Sequence, residues 1–314
     1  MATGRMGVII APKLDVHAFA VQHAAKKLGS SVTVIDTADF TQQFGLAATW
    51  NSTHTGGWLF SRDKECIDLS DLTGLWWRRP RNPAVSELVE PDFSNVAVTE
   101  SKEAIFGSLN ALVKLTFNDT AKSRAASQKA LQLTVAKNVG LTIPDTLITN
   151  DPNRAREFYD IHSGRIIYKV FRGPEFGFYP TRMVTPDDLR DLASLRNCPC
   201  IFQEYIDGEF DVRVTVVGDH VFTARIDYDK SSKLIDTRAT STECKYFELP
   251  SDISRRLLDM LRHFGLIYGA VDMRFSSRAG FVFFELNPEG QYLWTEIEAN
   301  LPISETIALL LTKG

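Results

Sequence analysis

Apolar and polar positions near the start of the chain follow the order strand, helix, strand. Residues 7–11 form an apolar run typical of a buried strand, and residues 32–35 predict the next strand. Between them, residues 15–28 show helical spacing, with Val16 and Phe19 at apolar positions. This order predicts a small α/β layer structure with parallel strands, which continues up to an apolar strand with two tryptophans.

The rest of the chain alternates helices with β-rich segments. Helical spacing and stop signals predict four more helices, at residues 93–115, 120–138, 152–162 and 251–264. Strand patterns predict six segments, at residues 165–170, 201–205, 212–217, 221–227, 269–275 and 281–286. Gly218 and Asp219 are expected to form the tight turn of one hairpin, and the last two strands form another.

These elements predict an α/β and α+β architecture in three units. We expect an N-terminal α/β unit at residues 1–115, a small central α+β unit at residues 116–200 and a larger C-terminal α+β unit at residues 201–314. A length of 314 residues suits two or three packed units. No linker rich in glycine, serine or proline separates them in the sequence, so we expect them to pack around a shared cleft.

Composition argues against several classes of protein. The content of 44% hydrophobic and 24% charged residues is ordinary for a globular chain, and a formal net charge of -4 does not favour nucleic acid as a partner. The apolar run near the N-terminus is far shorter than a signal sequence or membrane span, so we expect a cytoplasmic protein with no membrane partner. Four cysteines lack zinc-site spacing and are expected to be reduced thiols: Cys66, Cys198, Cys200 and Cys244.

The last two predicted strands carry oxygen-bearing side chains. Glu285 and Asn287 are two residues apart on one strand, so they share a face. Asp272 on the preceding strand lies opposite Glu285 if the turn centres near residues 277–279. Such carboxylate and carboxamide oxygens are the ligands that Mg²⁺ prefers, with phosphate oxygens and water completing the shell. The alternative is a solvated end of an edge hairpin, although an unpaired carboxylate among these bulky apolar neighbours would be costly to bury.

The order of the motifs resembles that of the ATP-grasp superfamily. The strands with Asp272, Glu285 and Asn287 follow an upstream strand with Lys169 and the segment at residues 203–206. Within the superfamily the chain resembles the RimK-like branch, and more closely the graspetide maturases, which are microviridin-type peptide ligases. The closer similarity rests on three segments: residues 76–80, 132–152 and 287–303. It implies an ATP-grasp fold with an N-terminal Rossmann-like pre-ATP-grasp domain, and ATP and Mg²⁺ as cofactors.

Two lysines are candidates for binding phosphate. Lys169 lies in an apolar strand, where a buried ammonium needs an anion such as the phosphates of ATP. The loop that follows, residues 171–178, contains Arg172 and two glycines; by resemblance it covers phosphates, and an ordinary turn is the alternative. The position of Lys129 resembles that of the first nucleotide-binding lysine in RimK-like proteins, with a solvated helix face as the alternative.

Residues 203–206 combine an acceptor, an aromatic ring and an aliphatic side chain, which suits adenine recognition. Glu204 is the candidate acceptor for the exocyclic amine, and Tyr205 and Ile206 would supply the backbone groups. The resemblance places Asp211 near the ribose or the polyphosphate, with Glu209 as the rival for that role.

The reaction that the resemblance implies has two steps. A carboxylate attacks the γ-phosphate to give an acyl phosphate, and a nucleophile then displaces phosphate to form an amide or ester. Both steps build negative charge, so cations should carry much of the catalysis. Arg213, two residues after Asp211, matches the Asp-x-Arg of RimK-like ligases and is the candidate for the acyl-phosphate oxygens. Arg238 belongs to a second Asp-x-Arg, in which Thr237 replaces the tryptophan usual in graspetide maturases.

An arginine-rich segment follows the two tryptophans. Arg78, Arg79 and Arg81 suit bidentate binding of substrate carboxylates. The alternative is that they only order a loop between units.

Three functions remain open from the sequence. The resemblance favours ligation within a ribosomally made precursor peptide, with leader and core, in which activated Asp or Glu side chains join hydroxyls or amines as lactones or lactams. The alternatives are a RimK-like ligase that joins a free amino acid or small amine to a carboxylate, and a non-catalytic nucleotide-binding or peptide-binding module. The sequence also leaves open whether the chain forms a homodimer.

Overall fold

The computed structural model describes residues 6–61, 66–171, 181–228 and 241–313. In chain order its strands are β1 Met6–Ile10, β2 Ser31–Ile35, β3 Phe44–Trp50, β4 Thr55–Ser61, β5 Cys66–Asp68, β6 Leu72–Trp77, β7 Thr116–Phe117, β8 Thr146–Thr149, β9 Ile166–Lys169, β10 Arg182–Met183, β11 Cys200–Glu204, β12 Phe210–Val217, β13 His220–Tyr228, β14 Ser241–Tyr246, β15 Tyr268–Ser276 and β16 Gly280–Asn287. Its helices are α1 Val16–Lys27, α2 Ser94–Leu112, α3 Thr120–Ala126, α4 Lys129–Asn138, α5 Pro152–Ile161, α6 Pro186–Arg190, α7 Ser251–Phe264, α8 Leu293–Ala299 and α9 Ile303–Lys313. Within these ranges none of the helices has the length and apolarity that crossing a bilayer requires.

The N-terminal sheet is parallel throughout and has the strand order β2-β1-β6-β7. The predicted order of strand, helix and strand is therefore confirmed, and Asp15 caps α1 with its side chain. The expected apolar face of α1 is wrong, because Val16 and Phe19 are 55% and 45% exposed. Its buried face carries the small residues Ala18 and Ala25, which let α9 pack close against it.

The C-terminal helix α9 returns to the N-terminal sheet. The Thr73 hydroxyl donates a hydrogen bond to the Leu311 carbonyl at 2.6 Å. A Cβ atom at Gly74 would lie 2.9 Å from that carbonyl oxygen, and one at Gly7 would lie 3.0 Å from the Leu311 Cβ. The backbone of β1 and β6 therefore approaches α9 so closely that a Cβ atom at either position would require α9 to shift.

Strands β3, β4 and β5 form a separate antiparallel sheet that the sequence pattern did not predict. The remaining two sheets are also antiparallel, with the orders β10-β9-β11-β8 and β14-β13-β12-β15-β16. Helices α3, α4 and α7 contact one another behind the five-stranded sheet. The core there includes Val214, Leu257, Val271 and Phe283, each completely buried.

The single helix predicted over residues 120–138 is wrong, since it is two helices. Gln128 adopts an extended conformation between them, with φ -75° and ψ 108°. The Gln132 side chain donates a hydrogen bond to the Ala126 carbonyl at 2.6 Å, and so satisfies a group that a continuous helix would have paired. As a result Lys129 becomes the first residue of α4.

Strand pairing bears on where the units begin and end. β7 joins the N-terminal sheet, and β11 pairs with both β8 and β9. These pairings favour boundaries a few residues later than 115 and 200, near residues 118 and 206. The division into three units remains a proposal.

Candidate active site

A cleft of about 870 Å³ lies between the sheet that contains β9 and β11 and the sheet that contains β12, β15 and β16. Its walls carry most of the charged residues singled out from the sequence: Arg79, Lys169, Glu204, Asp211, Arg213, Asp272, Glu285 and Asn287. Loop residues after β16, including Gln291 and Trp294, complete the wall. The fold thus brings residues more than 200 positions apart into one cavity.

The predicted pairing of the last two strands is confirmed. Asp272 lies directly opposite Glu285, and Ala270 lies opposite Asn287. The Asn287 amide nitrogen donates to Glu285 Oε1 at 3.0 Å, which leaves its carbonyl oxygen without a donor among the described residues. Two carboxylates and this carboxamide oxygen form a donor set that fits Mg²⁺. Their role as metal ligands remains a prediction.

Two cations already contact these carboxylates. Lys129 Nζ donates to Glu285 Oε2 at 2.6 Å, and Arg213 donates to Asp272 Oδ1 at 2.6 Å. Because Gln128 breaks the helix and α4 begins at Lys129, the side chain of this lysine reaches the site. The solvated helix face considered as an alternative for Lys129 is therefore wrong, since its side chain is only 15% exposed.

Electrostatics differ among the charged groups of the site. Desolvation raises the pKa of the Asp272 carboxyl above its ordinary value, although Arg213 opposes this shift. Desolvation acts in the same direction on Glu285, but Lys129, Asn287 and Lys169 together outweigh it and hold that pKa well below its usual range. For Lys169, desolvation lowers the pKa to about 8, against the attraction of Glu285 and Asp272. The Lys169 ammonium would therefore be stabilised by an added anion such as a phosphate.

Two buried side chains that the sequence patterns did not single out position the end of β16. Gln132 accepts from the Leu286 N–H at 3.0 Å and donates to the Leu286 carbonyl at 2.7 Å, on the strand beside Glu285. Asn118, fully buried, donates to the Tyr268 and Pro288 carbonyls, both at 2.7 Å. One sequence signal could have indicated such a residue, namely a polar side chain between apolar neighbours. Gln132, which lies between two leucines, shows this signal.

The structure separates the three adenine candidates. Glu204 ends β11 and its side chain lines the cleft. The Tyr205 N–H already donates to the Arg165 carbonyl at 2.9 Å, whereas the Ile206 N–H has no acceptor in the part of the chain that the structure describes. A backbone donor for a nucleobase is thus available at Ile206 rather than at Tyr205. All three assignments remain predictions.

Asp211 and Arg274 form a buried ion pair. Arg274 donates to both carboxylate oxygens of Asp211, at 2.6 and 3.1 Å, and to the Ile206 carbonyl at 3.1 Å. Asp211 thereby fixes the arginine that holds the segment after β11. This geometry favours a structural contribution for Asp211 over the predicted contact with ribose or polyphosphate, and the prediction stays untested.

Arg213 is held in the cleft from two sides. Besides its bond to Asp272, it donates to the Gln291 carbonyl at 2.8 Å, and its Nε is buried without a partner among the described residues. A Cβ at Gly290 would approach Arg213 Nη2 to 3.0 Å, so the glycine permits this close contact. Arg172 and Arg238, together with Asp236 and Thr237, lie outside the described residues.

The three arginines after β6 have different environments. Arg78 is fully buried, donating to Asp15 at 3.1 Å and to the Glu289 and Gly290 carbonyls at 3.3 Å. Arg81 pairs with Asp36. These contacts support the alternative that Arg78 and Arg81 order the loop and do not bind substrate. Arg79 is exposed and lines the cleft.

Comparison with known proteins agrees with this fold. The family described as the MvdD pre-ATP grasp domain matches residues 9–124. The macrocyclase MdnB from Microcystis aeruginosa is 30% identical, with 99% of this chain and 100% of that chain covered and a TM-score of 0.78. The macrocyclase MdnC from the same organism, bound with precursor peptide MdnA, is 28% identical over 98% of this chain and 99% of that chain, with a TM-score of 0.85.

A third solved structure extends the similarity to another organism. A RiPP-associated ATP-grasp ligase from Chryseobacterium gregarium, in complex with ADP and a leader and core peptide, is 26% identical over 98% of this chain and 97% of that chain, with a TM-score of 0.87. Among proteins of curated function, no sequence matches this chain. The chain belongs to the ATP-grasp superfamily, and within it to the family of ribosomal peptide macrocyclases of the graspetide type.

Proposed function

We propose that this chain is an ADP-forming ATP-grasp ligase that joins Asp or Glu side chains of a ribosomally made precursor peptide to other side chains of the same peptide. The observation that carries the proposal is the convergence of Asp272, Glu285 and Asn287 with Lys129 and Lys169 in one cleft. Oxygen donors beside lysines suit a nucleotide with its metal. Complexes of similar proteins with ADP and with precursor peptides support both the cofactor and the substrate class.

Residues on the two sheets would divide the work of holding ATP. Glu204 and the Ile206 N–H recognise adenine, and Lys129 and Lys169 bind the phosphates. Asp272, Glu285 and Asn287 would hold Mg²⁺, which when bound neutralises negative charge on the transferred phosphoryl group. All of these residues except Lys129 line the cleft, and Lys129 reaches it through its hydrogen bond to Glu285.

The chemistry then needs two displacements. An oxygen of the substrate carboxylate attacks the γ-phosphorus, the bond to ADP breaks, and an acyl phosphate forms. A hydroxyl or amine of the same peptide attacks the acyl carbon, loses its proton, and releases inorganic phosphate. Arg213 is fixed by Asp272 and by the Gln291 carbonyl, so its guanidinium is preorganised to stabilise the charge on the acyl-phosphate oxygens. We assign Arg238 the second catalytic position by its motif alone.

The location and partners follow from this reaction. Because the enzyme consumes ATP and a newly made peptide, we place it in the cytoplasm. Its partner is the precursor peptide, with leader and core.

Mass spectrometry tests the proposal against the RimK-like alternative. The enzyme, ATP and Mg²⁺ are incubated with the precursor peptide encoded beside it, with and without added amino acids. The expected result is loss of one water per crosslink without any added amine. A gain of mass that requires an added amino acid would instead support a RimK-like ligase, and no ADP release with any carboxylate would support a non-catalytic module.

A further inference from the structure

The charged side chains of the cleft are paired unequally. Arg213 contacts Asp272, and Arg274 contacts Asp211. Among the cleft residues that the structure describes, Lys169 and Arg79 are the cations that contact no carboxylate. The phosphates of ATP account for Lys169 in the proposed function. Arg79 has no such ligand, and its place in the cleft suits a second anion.

Arg79 enters the cleft from the N-terminal sheet. It follows β6, at the carboxyl ends of parallel strands, the edge where ligands of α/β sheets bind. Its neighbour Arg78 is fully buried and bonds the Glu289 and Gly290 carbonyls. Arg79 is thus tied to the same loop whose Gln291 carbonyl holds Arg213.

The backbone at Arg79 is also unusual. Its φ of 52° lies in the left-handed region, which residues with a Cβ rarely occupy. Neither an ion pair nor a hydrogen bond of its own side chain among the described residues compensates for this cost. Strain of this kind concentrates where a side chain must be presented to a ligand.

We propose that Arg79 binds the substrate carboxylate that the enzyme activates. This inference rests on the proposed function and adds the residue that recognises the acidic side chain. The planar guanidinium matches a carboxylate with two parallel hydrogen bonds, and its permanent charge favours Asp or Glu over Asn or Gln. The nucleotide-binding groups proposed above, Lys169 and Glu204, come from β9 and β11. Arg79 follows β6 of the N-terminal sheet and lines the cleft together with Arg213 and the loop after β16. The carboxylate would therefore lie near Arg213, on the N-terminal side of the nucleotide.

A double-mutant cycle, with one change at Arg79 and one in the acidic residues of the peptide, tests the contact between them. The probe is the precursor peptide encoded beside the enzyme, in two forms. The acidic form keeps the Asp and Glu residues that the enzyme would activate, and the neutral form has them changed to Asn or Gln. Dissociation constants are measured by titration calorimetry with ADP and Mg²⁺ present. We expect the wild-type protein to prefer the acidic peptide by roughly 10-fold, as hydrogen bonds between charged groups would give. Arg79→Gln should reduce that preference to about 2-fold or less, and Arg79→Lys should retain part of it.

Matched variants separate binding from folding and from overall charge. Arg79→Gly suits the positive φ and so preserves the fold while removing the guanidinium, and it should lose the preference as Arg79→Gln does. Arg262→Gln removes a surface arginine that is 60% exposed and lies outside the cleft, and it should keep the wild-type preference. The dissociation constant for ADP should be unchanged in every Arg79 variant.

The outcomes distinguish the two claims. An Arg79→Gln protein that still prefers the acidic peptide by the wild-type factor would overturn the inference, as would a wild-type protein with no preference. ADP release by the wild-type protein is measured with the same acidic peptide. If the wild-type protein releases no ADP, the proposed function fails and the inference fails with it. If the wild-type protein releases ADP normally and Arg79→Gln keeps the wild-type preference for the acidic peptide, only the inference is rejected.

Discussion

Lys169 shows how one residue joins sequence pattern to chemistry. It is the last residue of β9, and the surrounding protein lowers the pKa of its ammonium to about 8 by desolvation. The sequence predicted this lysine because a cation in an apolar strand needs an anion. The carboxylates of Glu285 and Asp272 offset only part of that need, so the residue favours binding of a polyanion.

A dependence of nucleotide affinity on pH follows from that shift. The charged form of Lys169 binds phosphate, and with a pKa near 8 that form is mostly present at pH 7 and mostly lost at pH 9. We expect the affinity for ADP to fall by up to ~10-fold between these values, because only about a tenth of the lysine stays protonated one unit above its pKa. Calorimetric titration at constant ionic strength measures the effect.

The control for this prediction is Lys169→Arg. Arginine keeps its charge throughout the range, so the variant should bind ADP with nearly the same affinity at both values of pH. An equal decline in the variant and in the wild-type protein would assign the effect to another group.

Residues that only hold the backbone in place were not predicted from the sequence. Asn118 and Gln132 bond the backbone around the ends of β15 and β16, yet neither belongs to a pattern that predicts chemistry. Asp211, whose contact with the nucleotide remains a prediction, also pairs with Arg274, which the sequence did not indicate. Sequence spacing gives the face of a strand, but the partner across the sheet decides whether a charge on that face is available.

At the scale of elements, β12 and β15 carry two ion pairs with opposite polarity. Asp211 lies opposite Arg274, and two residues further Arg213 lies opposite Asp272. The first pair is buried deeper in the sheet, since its two residues are 9% and 5% exposed. Both pairs line the cleft, and the second includes Asp272, a proposed metal ligand.

The buried pair yields a prediction for stability. Arg274→Met removes both hydrogen bonds that the guanidinium donates to the buried Asp211 carboxylate, and we expect a loss of about 3–5 kcal/mol in the free energy of unfolding. Adding Asp211→Asn to this variant should recover part of the loss, because the carboxylate charge that Arg274 paired is also removed. Urea unfolding followed by circular dichroism measures both. If Asp211→Asn alone weakened ADP binding without loss of stability, the structural role given to Asp211 would be wrong.

Glycines on β6 and α2 give a second prediction at this scale. Gly74→Ala places a Cβ 2.9 Å from the Leu311 carbonyl oxygen, which should cost about 1–3 kcal/mol by pushing α9 away. Gly107→Ala is the matched control, because no atom lies within 4 Å of its Cβ position and alanine favours the helix. Thermal unfolding should show a lower midpoint for the first variant and an equal or higher one for the second. Equal stability of both variants would contradict the close packing of α9.

Elements differ in how well the sequence predicted them. The apolar runs of β15 and β16 made this hairpin readable, and a turn near residues 277–279 placed Asp272 close to Glu285. Their direct pairing also requires a shift in register between Asp272 and Met273, which the sequence did not predict. The sheet of β3, β4 and β5 was missed, because its strands contain glycines and polar residues that weaken the alternation. The break between α3 and α4 was missed because a side chain, Gln132, replaces the lost backbone bond.

At the scale of the whole molecule, contacts between distant segments assemble the cleft. Arg78 joins the end of β6 to the loop after β16, and α9 packs on β1 and β6. These contacts link positions more than 200 residues apart, for which local periodicity carries no signal. The motif order predicted the fold by resemblance, whereas the support of the N-terminal sheet for the cleft required the structure.

We propose that the cleft activates a peptide carboxylate as an acyl phosphate. The most direct measurement uses a precursor peptide with oxygen-18 in its Asp and Glu side-chain carboxylates and determines the isotope content of the released phosphate by mass spectrometry. We predict one labelled oxygen in phosphate for each crosslink formed, and a rate at least ~100-fold lower in Glu285→Gln through lost metal positioning. Crosslinked peptide with unlabelled phosphate, or near-normal turnover in that variant, would contradict the account.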